Sequence, residues 1–456
     1  MSLTIRALRR LLGGRLRLGA MPPLSGEMLM TSGLAFDPVR VEPGEVYIDA
    51  DLSSPADLRA AAAYSRGAAG VVTGRFSGEP WAGRFAIDVD DIAAALIRLI
   101  DRWPRPAPTP WMLITGSHGK STLAGMLDRV LWPSLHARCD PEEPATLAGA
   151  LAKWFCPAAT CGDLVVVKAA PQPIEEAVWR RLMAGCIGRL DLGVLDRAPG
   201  DARPAPPFTL PCRAWLLSVN GRNVTFCLPR RIGGSDACPE TRRPIREVRK
   251  DGRELSWRLG DRRLVLDDAP PHCIPAASLA VAAAVRLGVA TEMAAQRLTG
   301  FQGVPHRFER IAIDGVTVFD DTSRVDETTL TAALTGLTQE PVAGRKTVVV
   351  AASADRFTEE AQRRSGQRAA HHGVDAVVAC GQGLAPLVDA AREHGHPRTA
   401  AKLFETSVEV VAELFETIQP EDAVIVCGQP EHGAREIVEA LKEKFATEPR
   451  EAKHAA

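Results

Sequence analysis

The sequence predicts a mixed α/β protein of three domains. These are a small α/β N-terminal domain over 1–103, a central P-loop α/β domain over 104–300 and a C-terminal Rossmann-like, doubly wound domain over 301–446, with a tail at 447–456. Three observations predict this. The chain has 456 residues and 46% hydrophobic content, enough for two to four cores. Short apolar runs alternate with helical patterns, most regularly after residue 301, which reads as a mostly parallel sheet with crossover helices. A Pro-rich stretch, PRPAPTP at 104–110, separates the first region from the rest, and a Gly-rich turn, ITGSHGKST at 114–122, follows it directly.

Element by element, the basic and partly apolar start at 1–20 reads as a short surface helix or lead-in, with a transit peptide as the alternative. It has no uninterrupted apolar core of a signal peptide. EVYIDAD (45–51) and GVVTG (70–74) read as strands around the helix PADLRAAAAYSRGAA (55–69). In the second region WMLIT (111–115) is a strand, followed by the loop and a helix from 120 to about 131. DLVVVKAA (163–170) and LDLGVLD (190–196) read as two further buried strands. AWLLSVNGRNVTFCLP (214–229) reads as a hairpin about Asn220-Gly221. IPAASLAVAAAVRLG and TEMAAQRLTG are two helices closing the region. In the third region the strands GVTVFDD, KTVVVAAS, VDAVVACG and EDAVIVCG alternate with helices, the first from about 326 to 337 and the last ending near 445. Their following loops, at 320–324, 353–356, 381–383 and 428–433, should share the edge where ligands bind in such folds.

Composition narrows the function. Lys+Arg 55 against Asp+Glu 56 leaves a net charge of -1, which calls for neither nucleic acid nor an anionic membrane as partner. No stretch approaches the roughly 20 apolar residues of a membrane span. The 10 cysteines form no C-x-x-C pair. They read as reduced thiols of a cytoplasmic protein, with a structural zinc in the central part as the alternative.

The loop carries chemistry. Backbone N–H groups of a glycine turn, followed by a helix N-terminus, form an anion cradle. Lys120 would neutralise phosphate, and Ser121 or Thr122 would reach a magnesium ion. The general nucleotide motif places its first glycine at position 114, which here is Ile114, so the match to that pattern is incomplete. The alternative is a tight strand–helix turn with an incidental lysine. His371-His372 reads as a helix C-terminal cap, with a metal site as the alternative, and Glu175-Glu176 as a solvated helix start, with a metal ligand as the alternative. Asp355-Arg356 is open between an ion pair and a substrate contact.

The shorter form T-G-S-H-G-K-S-T, 115–122, is similar to the loop of the Mur ligases, the ATP-dependent enzymes that add amino acids to cell-wall precursors, and of their folylpolyglutamate and cyanophycin synthetase relatives. The N-terminal region resembles the family's UDP-binding domain. Asp37, Pro38 and Arg40 stand at the start of that pattern, Pro43, Gly44 and Glu45 follow, and Gly67-Ala68 closes the helix. GVPHRFERI (303–311) resembles the hinge motif, with Arg307 and Glu309 in place. VFDDTSRVDETTLTAAL (318–334) resembles the next strand and loop, with Asp321 on the acidic position that meets the nucleotide, and VIVCGQPEHG (424–433) resembles the last strand. The resemblance covers nearly the whole chain in order.

It implies a two-step reaction. A substrate carboxylate takes the γ-phosphate of ATP to become an acyl phosphate, and an amino group then displaces phosphate to give an amide. It also implies a nucleotide site of Gly116, Ser117, His118, Gly119, Lys120, Ser121, Thr122, Arg307 and Asp321, with Lys120, Lys168 and Arg307 as catalytic cations and Ser121 as a magnesium ligand. The cofactors would be ATP and Mg2+. The substrates would be an amino acid and a UDP-linked or other cell-wall-type carboxylate, with the site completed by domain closure.

The central region departs from the family pattern. Lys168 stands where the family carries a magnesium-holding glutamate, and a charged lysine repels that ion; it would contact phosphate directly instead. VLDRAPGDARP (194–204) offers Asp196 and Asp201 but no His, and no lysine follows before Lys250, where the family carbamylates a lysine to hold a second metal. Ala276 or Pro275 stands for an adenine-contacting Asn, His118 for the loop's frequent Asn, and Asp326 for another Asn. The family's signature for diaminopimelate selection is absent around VVACGQGLAPLV (377–388). Two readings follow: a cytoplasmic ATP-dependent acid–amino acid ligase of peptidoglycan type, or an inactive homologue that binds a nucleotide or UDP-sugar peptide and serves a protein partner as a scaffold or regulator.

Overall fold

The computed structural model describes residues 4–20, 33–51, 56–74, 76–102, 111–115, 119–138, 145–155, 164–168, 175–182, 186–191, 215–219, 223–227, 241–251, 254–267, 269–270, 273–301, 303–323, 325–353, 357–395 and 400–446. They form two compact units. One holds Met1–Arg246 and Pro275–Leu298; the other holds Glu247–Ile274 and Thr299–Ala456. The α/β class expected from the alternating pattern is what the chain adopts.

In the first unit the N-terminal sheet runs in the order Arg15–Leu18, Phe85–Asp88, Gly70–Thr73, Val46–Ile48, Leu34–Ala35. All neighbours are parallel except the first pair. The Ala-rich helix Ala56–Ser65 buries Ala56, Ala60, Ala63 and Tyr64, an i, i+4, i+7, i+8 stripe. Tyr64 donates to the carbonyl of Phe85 at 2.8 Å, fixing the helix on the sheet. At the end of Val46–Ile48 Arg59 grips buried Asp49 with two 2.9 Å hydrogen bonds, and Tyr47 adds a third at 3.0 Å.

The second sheet of this unit places Trp111–Thr115 centrally, between Leu164–Lys168 and Cys186–Asp191, both parallel to it. Such strands are buried on both faces, which is why WMLIT and LVVVK read as unbroken apolar runs. The third strand is described over Cys186–Asp191, and its register sets Asp191 opposite Thr115; residues 192–196 of the expected strand lie outside the described residues. Trp215–Val219 and Asn223–Cys227 pair antiparallel, as the Asn-Gly signal requires.

One core joins the two sheets of this unit. Ile5, Leu8, Leu96 and Leu99 from the N-terminal part lie in the same buried cluster as Leu113, Leu151, Val165 and Trp179 from the central part. Phe36 stacks on Phe155 at 5.3 Å between ring centroids. Each such side chain contributes about 1.5–3 kcal/mol on burial. The helix Thr291–Thr299 then returns to this unit. Its Arg297 guanidinium donates to the carbonyls of Val130 and Leu131 at 3.0 and 3.4 Å, capping the end of Lys120–Leu131.

The second unit is built on a sheet ordered Glu309–Ile313, Val316–Asp321, Ala423–Gly428, Lys346–Ala351, Ala376–Cys380, Ala400–Phe404, parallel after the first hairpin. Two apolar clusters cover its faces, one under Glu327–Gln339, Glu359–His371 and Ala385–His394, the other under Ser407–Thr417 and Ala434–Ala446. The segment 247–274 belongs here. Its hairpin Glu254–Leu259 with Arg262–Asp267 accepts a hydrogen bond from Thr299 at Val265, and Lys250 pairs with Glu340 at 2.6 Å. No helix among the described residues is long and apolar enough to cross a membrane.

Candidate functional site

In the first unit the loop of interest follows the central strand Trp111–Thr115 and enters the helix Lys120–Leu131, as the sequence predicts. Gly119 is the N-cap, with φ 73° and ψ 3°, a left-handed conformation that glycine adopts without strain. The cap makes no side-chain hydrogen bond, and the first turn holds no acidic residue. Helix amides here are therefore not satisfied by the cap side chain, and the positive end of the dipole meets lysine instead of carboxylate. Gly116, Ser117 and His118 lie outside the described residues. Lys120 and Thr122 are half-buried and Ser121 is buried.

The neighbouring strand sets Lys168 opposite Ile114, at the same sheet edge. Lys168 is 3% exposed, and its Nζ donates to Ser121 Oγ at 3.3 Å. An ammonium buried against the hydroxyl expected to bind magnesium is the central fact of this site. Mg2+ needs oxygen donors at about 2.1 Å and a net negative surround. Ser121 with the Lys168 ammonium as its neighbour does not supply that set, so these two residues do not fit the ion. Asp196 and Asp201 lie outside the described residues. Lys250, the first lysine after Lys168, is committed to Glu340 of the second unit.

In the second unit Arg307 and Asp321 are brought together. The strand Val316–Asp321 ends in two carboxylates. Asp320 is fully buried; its Oδ2 lies 2.8 Å from His306 Nδ1, and its Oδ1 accepts from the Thr322 N–H at 3.1 Å and hydroxyl at 2.6 Å. Burial pushes the Asp321 carboxyl up to about 7, opposed by the Arg307 guanidinium and an N–H from Phe308, and reinforced by Asp320 and Asp326. Arg307 is flanked by two residues in the left-handed region, His306 at φ 60° and Phe308 at φ 53°. Such backbone is held by its surroundings. Glu309 Oε2 accepts the His306 N–H at 3.0 Å, and the Phe308 ring packs on Phe319 at 4.8 Å.

His306, Glu309 and Asp320 hold ligand atoms within 4.8 Å of one another. Their geometry is that of a hydrogen-bonded clasp around the Arg307 turn, which the sequence motif contained but did not disclose. The signal was the Asp-x-Thr spacing, which favours an Asx-type turn. Asp326 caps the helix Glu327–Gln339. It accepts from the Thr329 N–H at 2.9 Å while the Thr329 hydroxyl accepts from the Asp326 N–H at 2.8 Å. The acid here thus has a local role that an Asn would also fill. Glu175 accepts from the Trp179 indole at 3.0 Å, and His372 is the C-cap of Glu359–His371. Asp355 and Arg356 lie outside the described residues.

Comparison with known proteins bears on the C-terminal part of this geometry and on the fold. Residues 306–429 match the family model described as Mur ligase, glutamate ligase domain. MurF from Acinetobacter baumannii is similar in structure, at 16% identity and a TM-score of 0.64, over 97% of this chain and 99% of that one. MurF from Thermotoga maritima, solved in complex with ADP, is similar at 13% identity and 0.57, over 92% and 99%. A pseudomurein peptide ligase type C from Methanothermus fervidus is similar at 13% identity and 0.51, over 87% and 94%. No curated protein matches by sequence. Residues 306–429 thus carry the Mur ligase glutamate ligase domain, and the chain shares the fold of these solved Mur ligases along nearly its full length.

Proposed function

We propose that this chain is an ATP-dependent acid–amino acid ligase acting on a carboxylate of cell-wall-precursor type, with an amino acid as second substrate. The observation that carries the reading is the helix Lys120–Leu131 opening on left-handed Gly119 without a side-chain cap, with Lys120 in its first turn and Lys168 beside it. A nucleotide's phosphates are the natural complement of that end. In the first step a carboxylate oxygen attacks the γ-phosphorus, the bond to the β–γ bridging oxygen breaks and ADP leaves. In the second the amine nitrogen attacks the acyl carbon, phosphate leaves and the nitrogen loses a proton. The chain's contribution is positioning and charge. Helix amides and Lys120 hold the phosphates, and Lys168 adds positive charge. In the C-terminal domain Arg307 and Asp321 are the proposed nucleotide contacts. Ser121 with the Lys168 ammonium beside it does not fit magnesium, so the positive charge here comes from the lysines.

A second reading is favoured by one observation, the Lys168–Ser121 contact. Without a metal to offset phosphoryl charge, acyl transfer would be slow. The chain would then bind a nucleotide or a UDP-linked peptide as a cytoplasmic scaffold for a protein partner. The deciding experiment measures phosphate release from ATP with UDP-linked precursors and single amino acids, and amide formation by mass spectrometry. Amino-acid-dependent release establishes the ligase. Binding of ATP without turnover favours the scaffold, no ATP binding sinks the ligase, and binding of neither ATP nor a UDP-linked peptide sinks both.

A further inference from the structure

We infer that the phosphate site of the first unit carries its own cation: it takes a nucleoside di- or triphosphate without a divalent metal, with the Lys168 ammonium standing where a metal would rest against Ser121. The inference rests on reading the 114–122 loop as a nucleotide site. The strand register places Lys168 opposite Ile114, and the side chain runs buried to within 3.3 Å of Ser121 Oγ. An ion bonded to that oxygen at about 2.1 Å would lie no more than about 5.4 Å from Nζ, inside the protein and facing like charge. The two cations compete for one place.

The first turn adds a second argument. Lysines 120 and 168 both stand at the positive end of the helix, where cations are unfavourable and anions favourable. The first turn holds no acidic residue. A polyphosphate bound at that end has its charge met by ammonium groups fixed in the fold.

The test is calorimetric titration of the full chain with ATP, once in EDTA and once in excess magnesium. The inference expects binding in EDTA at least as tight as in magnesium. Affinity raised about tenfold or more by magnesium overturns it while leaving the nucleotide reading intact. No binding in either condition overturns both. Lys168→Glu should reverse the pattern, losing ATP in EDTA and recovering it with magnesium or manganese. A folded Lys168→Glu variant that binds ATP in EDTA as the wild type does also refutes the inference. The wild-type comparison requires no variant to fold.

Discussion

His306 Nδ1 and Asp320 Oδ2 meet at 2.8 Å across a turn in which His306 and Phe308 both hold left-handed backbone. The contact locks the segment that presents Arg307. Asp320 also satisfies the N–H and hydroxyl of Thr322, so its removal orphans three groups at once. Asp320→Ala should cost about 3 kcal/mol, the scale for breaking a buried charged network. Denaturant unfolding of the purified chain reads this as a lower midpoint at unchanged slope. An effect under about 0.5 kcal/mol, the scale of a plain surface change, would show that the clasp is not formed.

Gly336 lies within the helix Glu327–Gln339, and a Cβ there would come 2.5 Å from the Phe308 ring. At an ordinary helix position Gly→Ala stabilises by about 0.5–1 kcal/mol. Here the sign should reverse, with Gly336→Ala destabilising by about 1–3 kcal/mol through overpacking. Thermal melting decides the sign.

Burial pushes the Asp321 carboxyl up to about 7 in the folded chain, well above the ordinary aspartate range. The folded state therefore holds its proton more tightly than the unfolded state. Its contribution is fully present below about 4 and is lost as pH rises through about 7. Asp321→Asn should remove this slope, so that variant and wild type differ most above pH 7, where the variant is the more stable. Parallel stability curves from pH 4 to 8 would contradict the shifted titration.

Asp326→Ala should cost about 1 kcal/mol, the value of an N-cap, while Asp326→Asn should be nearly neutral. Urea titration of the two variants separates the cap from a role of the charge. Equal losses in both would assign the residue to charge.

Lys120→Ala should abolish stabilisation of the chain by ATP in thermal shift. Saturating ligand at about 100 times Kd is worth about 2.7 kcal/mol, a readily measured shift. Stabilisation that survives intact would move the phosphates away from this loop.

The legible parts of the fold are those set by local rules. WMLIT and LVVVK announce strands buried on both faces. The helix opens at Lys120 because a glycine precedes it, and Asn220-Gly221 joins antiparallel strands. The less legible parts depend on partners far along the chain. The strand expected from LDLGVLD is described over Cys186–Asp191, where its register against 111–115 is a long-range pairing that composition does not encode. Lys168 is visible in sequence as a departure, but its seat on Ser121, 47 residues away, is a product of sheet register. The His306–Asp320 clasp and the Phe308–Gly336 contact are likewise non-local. Residues 247–274 read as central-domain sequence because they lie between central elements, yet Lys250 and Val265 find their partners in the C-terminal unit.

That last arrangement bears on synthesis. The hairpin of residues 254–267 and Lys250 leave the ribosome before their partners Thr299 and Glu340, and the stretch 275–298 that completes the other unit is also made after them. Neither unit can close while the polypeptide stops at residue 274. A nascent chain halted there would expose Leu255, Trp257 and Leu264, buried in the finished protein, and would depend on holdases until the remaining sequence emerges.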